Sequence, residues 1–201
     1  MGIRDLLKLF ARAIGLWWRE FAFLLVLNLL WLLAQVTVVL GPPATAALVA
    51  VAGRVADGNL TDFGDFWGAL RANFVAAWRW GLAQWLAYGV LGFNLVAYAD
   101  REGVGILALR YAWTLLAFAW FAVNLYFWPL HFEQADRRFA TTLGNAVKMA
   151  LLNADLTLIC ALVALAFIAA SVLSGFLLGA VLGTWLALWT SLVVRRFLGK
   201  A

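Results

Sequence analysis

Apolar and polar residues do not alternate along this chain as a soluble domain would require. Apolar residues run in blocks at 21–40, 43–56, 75–98, 105–128, 155–171 and 174–194, with charge gathered at the joints. Most blocks approach the ~20 residues an α-helix needs to cross about 30 Å of hydrocarbon. The pattern predicts an all-α fold: a polytopic transmembrane helical bundle of about six membrane segments, forming one domain over residues 1–201. The 43–56 block is short, rising only about 21 Å as a helix. It must tilt, meet a thin bilayer, or re-enter as a hairpin with the block before it.

Two stretches carry helical periodicity instead of continuous apolarity. In residues 1–19, Ile3, Leu6, Leu7, Phe10, Ile14, Trp17 and Trp18 fall on one side at 100° per residue, and Arg4, Lys8, Arg12 and Arg19 on the other. This predicts an interfacial helix with its basic face toward anionic lipid. It lacks the short apolar core and small-residue cleavage site of a secretory signal, so it is expected to be retained. Residues 61–74 form a second amphipathic helix, with Phe63, Phe66, Trp67, Leu70 and Phe74 on one face and Asp62, Asp65 and Arg71 off it.

Composition agrees: 66% hydrophobic and 12% charged residues lie far from the roughly half and quarter of soluble domains. A net charge of +5 would point to nucleic acid in a soluble protein. Here the basic residues flank apolar blocks, so they read as topology signals and no nucleic-acid partner is expected. If 43–56 crosses or re-enters, every Lys and Arg except Arg101 and Arg110 is cytoplasmic; otherwise the positive-inside bias reverses. The expectation is therefore a multi-pass protein of the bacterial inner membrane with cytoplasmic N- and C-termini.

The chemistry legible in the sequence is sparse. HExxH, GxSxG, P-loop and GxGxxG motifs are missing, as is any His/Cys cluster with metal spacing. The expectation is a non-enzymatic protein without catalytic residues, metal or cofactor. His131, after Pro129, reads as a hydrogen-bonded interfacial imidazole, and Cys160 as a small packing residue. Ionisable residues, which proton-coupled carriers hold at mid-span, are absent from the block centres. Asn28, Gln35, Gln84, Asn94 and Asn124 lie inside the blocks and serve either helix-to-helix hydrogen bonds or a polar path. Gly41-Pro42-Pro43-Ala44-Thr45 forces a break and restarts a helix at membrane depth. That start is either a tight packing corner or a site for an anion or substrate oxygen. Ser171, Gly175, Gly179 and Gly183 recur every four residues, a stripe for close approach of a helix from the same chain or from a second protomer. Of the 12 tryptophans, Trp17, Trp18, Trp78, Trp80 and Trp128 read as interface anchors. Trp31, Trp85, Trp113, Trp120 and Trp185 read as lipid-facing or packing residues.

The basic start, Asn28 to Trp31, the Gly41 to Leu48 turn and the Asp62-Phe63-Gly64-Asp65-Phe66-Trp67 run ending at Asn73-Phe74 together resemble the YesL-like family of small bacterial integral membrane proteins. The resemblance extends to about residue 98; the family usually carries one Gly-Pro where this chain has Gly41-Pro42-Pro43. It implies an accessory or regulatory component associated with carbohydrate uptake, with a membrane transport complex as partner; the composition itself makes the lipid bilayer a partner, and the small-residue stripe admits a second copy of the chain. The residues also admit an autonomous small-solute channel or carrier, using the five amides and the Gly41–Thr45 helix start.

Overall fold

A computed structural model describes residues 2–200 and is helical throughout, without a strand among those residues. Ten helices follow one another there: α1 (Ile3–Arg19), α2 (Phe21–Val36), α3 (Gly41–Ala56), α4 (Phe63–Ala72), α5 (Phe74–Ala97), α6 (Val104–Glu133), α7 (Phe139–Leu152), α8 (Ala154–Ser174), α9 (Phe176–Ala180) and α10 (Leu182–Phe197). Among the described residues, α6 and α8 are each long and apolar enough to cross a membrane. The α1–α2 pair makes a third such unit, bent by 95°.

Length and composition thus single out two or three spans, fewer than the six expected. The other blocks do form helices, but α2, α3 and α10 have 16 residues each, about 24 Å. Backbone breaks set those lengths. Val38, just after α2, has φ 59, a left-handed conformation that a β-branched side chain adopts only under strain. Gly175 has φ 61 and ends α8. A second break at Val181 separates α9 from α10, so the block expected at 174–194 is two helices.

The expected interfacial helix is laid along the protein. Asp5 of α1 sits beside Arg196 of α10, and the Trp17 Nε1–H donates to Thr184 Oγ1 at 3.0 Å. The two helices therefore run antiparallel. Leu6, Leu9, Ala13 and Trp17 are buried, and Phe10 meets Trp185 edge-on at 4.8 Å. Ile3, Leu7, Ile14 and Trp18 remain exposed. One apolar face thus divides between protein and surroundings, which periodicity alone cannot resolve. The second amphipathic stretch becomes α4, where Asp62 accepts from the Asp65 N–H and Asp65 from the Asp62 N–H in a reciprocal N-cap.

The C-terminal ends of α3, α6 and α10 meet at a charged end. Arg195 donates to Glu133 at 2.6 Å, to Asp57 at 2.5 Å and to the Gly53 carbonyl at 3.0 Å, and Lys200 reaches Glu133 at 2.8 Å. Nearby, Arg54 pairs with Asp65 at 2.8 Å. In the α6–α7 loop, hydrogen bonds from Arg138 hold the Asp136 carboxyl well below the usual carboxylate range.

Candidate functional site

The corner between α2 and α3 is built by small residues. A Cβ at Gly41 would lie 2.8 Å from Gln35 Oε1, and one at Gly81 of α5 would lie 2.7 Å from Pro42 Cγ. At Gly81 the rigid Pro42 ring leaves no room for a side chain, and that closeness brings α3 against α5; at Gly41 the near atom is the movable end of Gln35. Pro42 and Pro43 carry no N–H, and the Ala44 N–H already donates to the Leu40 carbonyl at 2.8 Å. The helix start therefore presents few free N–H groups; its polar contribution comes from side chains instead. Gln35 Nε2 donates to the Gly41 carbonyl at 3.2 Å and to Thr45 Oγ1 at 3.3 Å, and the Trp31 Nε1–H donates to Thr45 Oγ1 at 3.1 Å.

A second polar group faces this one from α5 and α6. Gln84 Nε2 donates to Asn124 Oδ1. The Trp80 Nε1–H donates to the same oxygen at 3.0 Å, and the Trp120 Nε1–H to Gln84 Oε1 at 2.8 Å. Asn124 Nδ2 turns back to the Trp120 carbonyl at 2.7 Å. Between the two groups lies a cavity of about 530 Å³, lined by Gln35, Gly41, Pro42, Thr45, Gln84 and Asn124 together with Trp80, Trp85, Tyr88 and Phe121. Its rim is Val38, Trp85 and Tyr88, all exposed. No charged side chain lines it. The arrangement offers amide and hydroxyl groups for directional hydrogen bonds and aromatic faces for apolar contact, the composition of a small-molecule site.

The structure thus brings together three of the five amides and leaves two outside. Asn28 is fully buried and clamps the α9–α10 break: Nδ2 donates to the Leu178 and Gly179 carbonyls at 3.0 and 2.6 Å, and Oδ1 accepts the Gly183 and Thr184 N–H groups at 2.7 and 3.1 Å. Asn94 bonds to its own helix, at the Val90 carbonyl. Pro43 is buried in α3 away from the cavity lining. Sequence reasoning assigned Trp80 to an interface and Trp85 and Trp120 to lipid or packing. All three belong to this site, two of them through indole N–H groups bonded to the amides.

The small-residue stripe does not lie on one helix. Ser171 is buried in α8, Gly175 is the break, Gly179 is in α9 and Gly183 is in α10. Gly183 is the tight one, where a Cβ would lie 2.8 Å from Trp31 Cε3. His131, expected to be hydrogen-bonded, is buried among Phe127, Trp128 and Phe132, and its Nδ1 has no hydrogen-bond partner.

Residues 24–95 match the family DUF624, described as protein of unknown function. YesL-like proteins belong to that family. The match covers about a third of the chain and includes Gln35, the Gly41–Thr45 corner, Trp80 and Gln84, whereas Asn124 and all of α6 to α10 lie beyond it. No curated protein and no solved structure matches the chain.

Proposed function

We propose that this is a non-enzymatic integral membrane protein of the bacterial inner membrane that binds a small, uncharged, hydroxylated solute in the α2–α3–α5–α6 cavity. In that role it serves as an accessory or regulatory component of carbohydrate uptake. The observation that carries the reading is the convergence of Gln35, Thr45, Gln84 and Asn124 on one uncharged cavity walled by Trp80, Trp85 and Tyr88. Amides match hydroxyl donors and acceptors, and indole faces suit the C–H faces of a sugar ring. Association with uptake rests on the resemblance to YesL-like proteins, and the charged end of α3, α6 and α10 fits a cytoplasmic face under the positive-inside bias.

Equilibrium dialysis of the purified protein against radiolabelled glucose and maltose tests the site, with Gln84→Leu and Asn124→Leu as paired variants. Saturable binding that both variants abolish, while each still elutes as a monodisperse peak, is the expected result. Binding that survives both substitutions would sink the assignment of the cavity.

A further inference from the structure

On the side of α5 turned away from the solute cavity, two hollows follow one another along the α5–α6 seam. The first is small, about 20 Å³, and is lined by Ala76 and Arg79 of α5, Phe127 and His131 of α6, Arg137 of the α6–α7 loop and Phe139 of α7. The second is an open groove of about 480 Å³ whose lining includes Ala83, Ala87 and Leu91 of α5, Leu116 and Trp120 of α6, and Leu143 of α7. Phe139 borders both, and neither shares a lining residue with the solute cavity.

Helical spacing places both hollows on one stripe. On α5, Ala76, Arg79, Ala83, Ala87 and Leu91 succeed one another at steps of three or four; on α6, Leu116, Trp120, Phe127 and His131 keep steps of four and seven. The two helices run antiparallel here, since Trp80 bonds Asn124 while Gln84 receives the Trp120 N–H. The small hollow therefore sits near the start of α5 and the charged end of α6, and the groove leads from it toward mid-span. From Arg79 to Leu91, α5 rises about 18 Å, close to one leaflet of a bilayer whose hydrocarbon is ~30 Å thick. Every side chain lining the groove is apolar or aromatic, and the one indole N–H among them, that of Trp120, is taken by Gln84. Its occupant must be hydrocarbon.

The small hollow has the opposite character. Neither Arg79 nor Arg137 has an acidic partner among the described residues. Arg137 rests over the Phe132 ring, 5.9 Å from its centroid. The carboxylates nearest to it in sequence are committed elsewhere, Glu133 to Arg195 and Lys200, and Asp136 to Arg138. His131, which lines the same hollow, is 3% exposed, and its buried Nδ1 is unbonded. Buried polar atoms are rarely left so. The hollow admits one oxygen-sized group. An oxyanion oxygen placed there accepts from the Nδ1–H of a neutral imidazole, while its sister oxygens meet the arginine forks, which match phosphate geometry. A water molecule also fits, but it leaves both guanidinium charges unmatched.

We propose that this seam binds an anionic phospholipid from the leaflet nearest the charged end of α6, its phosphate held by Arg79, Arg137 and His131 and an acyl chain lying in the apolar groove. Charge stands at the membrane boundary and hydrocarbon surface runs inward from it, the order in which a lipid presents its own head and tail. Basic pockets between membrane helices recognise anionic headgroups on this principle. The groove needs no closed wall, because its open side faces the bilayer from which the lipid comes.

The test is native mass spectrometry of the full chain, stripped of lipid in detergent and titrated with phosphatidylglycerol, phosphatidylcholine or inorganic phosphate. A single phosphatidylglycerol should be retained in preference to phosphatidylcholine, and inorganic phosphate should not displace it. Arg79→Gln and Arg137→Gln should each weaken retention about tenfold, the loss of one charge-assisted hydrogen bond, and Ala87→Phe should weaken it by filling the groove. Arg71→Gln removes the same charge from α4, outside both hollows, and should leave retention unchanged. A measurement on the unaltered protein guards against misfolded variants: phosphatidylglycerol carrying a photoreactive diazirine on its acyl chain should crosslink chiefly to Ala83–Leu91, Leu116 and Leu143. Equal retention of both lipids, an equal loss in Arg71→Gln, or crosslinks spread evenly over α2 and α8 would overturn the site. Displacement by inorganic phosphate, with Ala87→Phe without effect, overturns the lipid and leaves a site for a free anion.

Discussion

The Asn28 side chain accepts the Gly183 N–H at 2.7 Å across 155 positions of sequence, capping the start of α10 from the middle of α2. Three further hydrogen bonds from the same amide close the α9–α10 break, so every donor and acceptor of one buried side chain is committed. Replacing it orphans two N–H groups and two carbonyls at once. Asn28→Leu should lower stability by about 2–3 kcal/mol, the scale of leaving buried polar groups unpaired. The single cysteine, Cys160, is buried, so thermal unfolding in detergent can be followed by its reaction with a thiol-activated dye. An unchanged midpoint would show that the break is held by something other than Asn28.

Gly179 and Gly183 separate two readings of the small-residue stripe. A Cβ at Gly183 would lie 2.8 Å from Trp31 and 3.0 Å from Leu48, whereas one at Gly179 would meet only Leu29, at 4.0 Å. Gly183→Ala should therefore cost about 1–3 kcal/mol through overpacking, and Gly179→Ala should be close to neutral. Equal effects in the same dye assay would contradict this geometry and return the stripe to the role of a uniform contact face.

Arg195 joins three helix ends through Glu133, Asp57 and the Gly53 carbonyl, with its own side chain only 13% exposed and that of Glu133 15%. Removing it leaves the mostly buried Glu133 carboxylate with Lys200 as its remaining ion partner. Arg195→Ala should destabilise by about 2 kcal/mol, below the 3–5 of a fully buried pair because Asp57 remains half-exposed. Arg195→Lys should recover only part of that, since an ammonium cannot reproduce the fork that spans both acids. Denaturation midpoints at low and high salt check both: a fully rescued Lys variant would mean that charge alone, not geometry, holds the ends together.

Much of this architecture is legible in the sequence. Continuous apolar blocks became helices, the 61–74 periodicity became α4 with Asp62 as its cap, and the Gly41–Thr45 corner and three of the in-span amides share one cavity. What escaped depends on contacts between distant segments. Nothing local to residues 174–194 shows that Asn28 would supply the bonds that let the helix break there. Charges at block ends read as topology signals because periodicity cannot show that Arg195, Asp57 and Glu133 converge. The indoles of Trp80 and Trp120 read as anchors or packing because only their placement opposite Asn124 and Gln84 makes them donors.

The pairing of α1 with α10 also orders events in time. Trp17 and Thr184 are 167 residues apart, so the helix that leaves the ribosome early waits for a partner synthesised much later. Until α10 arrives, the buried face of Leu6, Leu9, Ala13 and Trp17 lacks the helix that covers most of it, and α1 has only its smaller contacts with α2 and α3. Insertion of the early helices can proceed one at a time, but closure of the bundle is deferred until α10 is made. A chain that ends before that point leaves the partners of both Trp17 and Asn28 unmade.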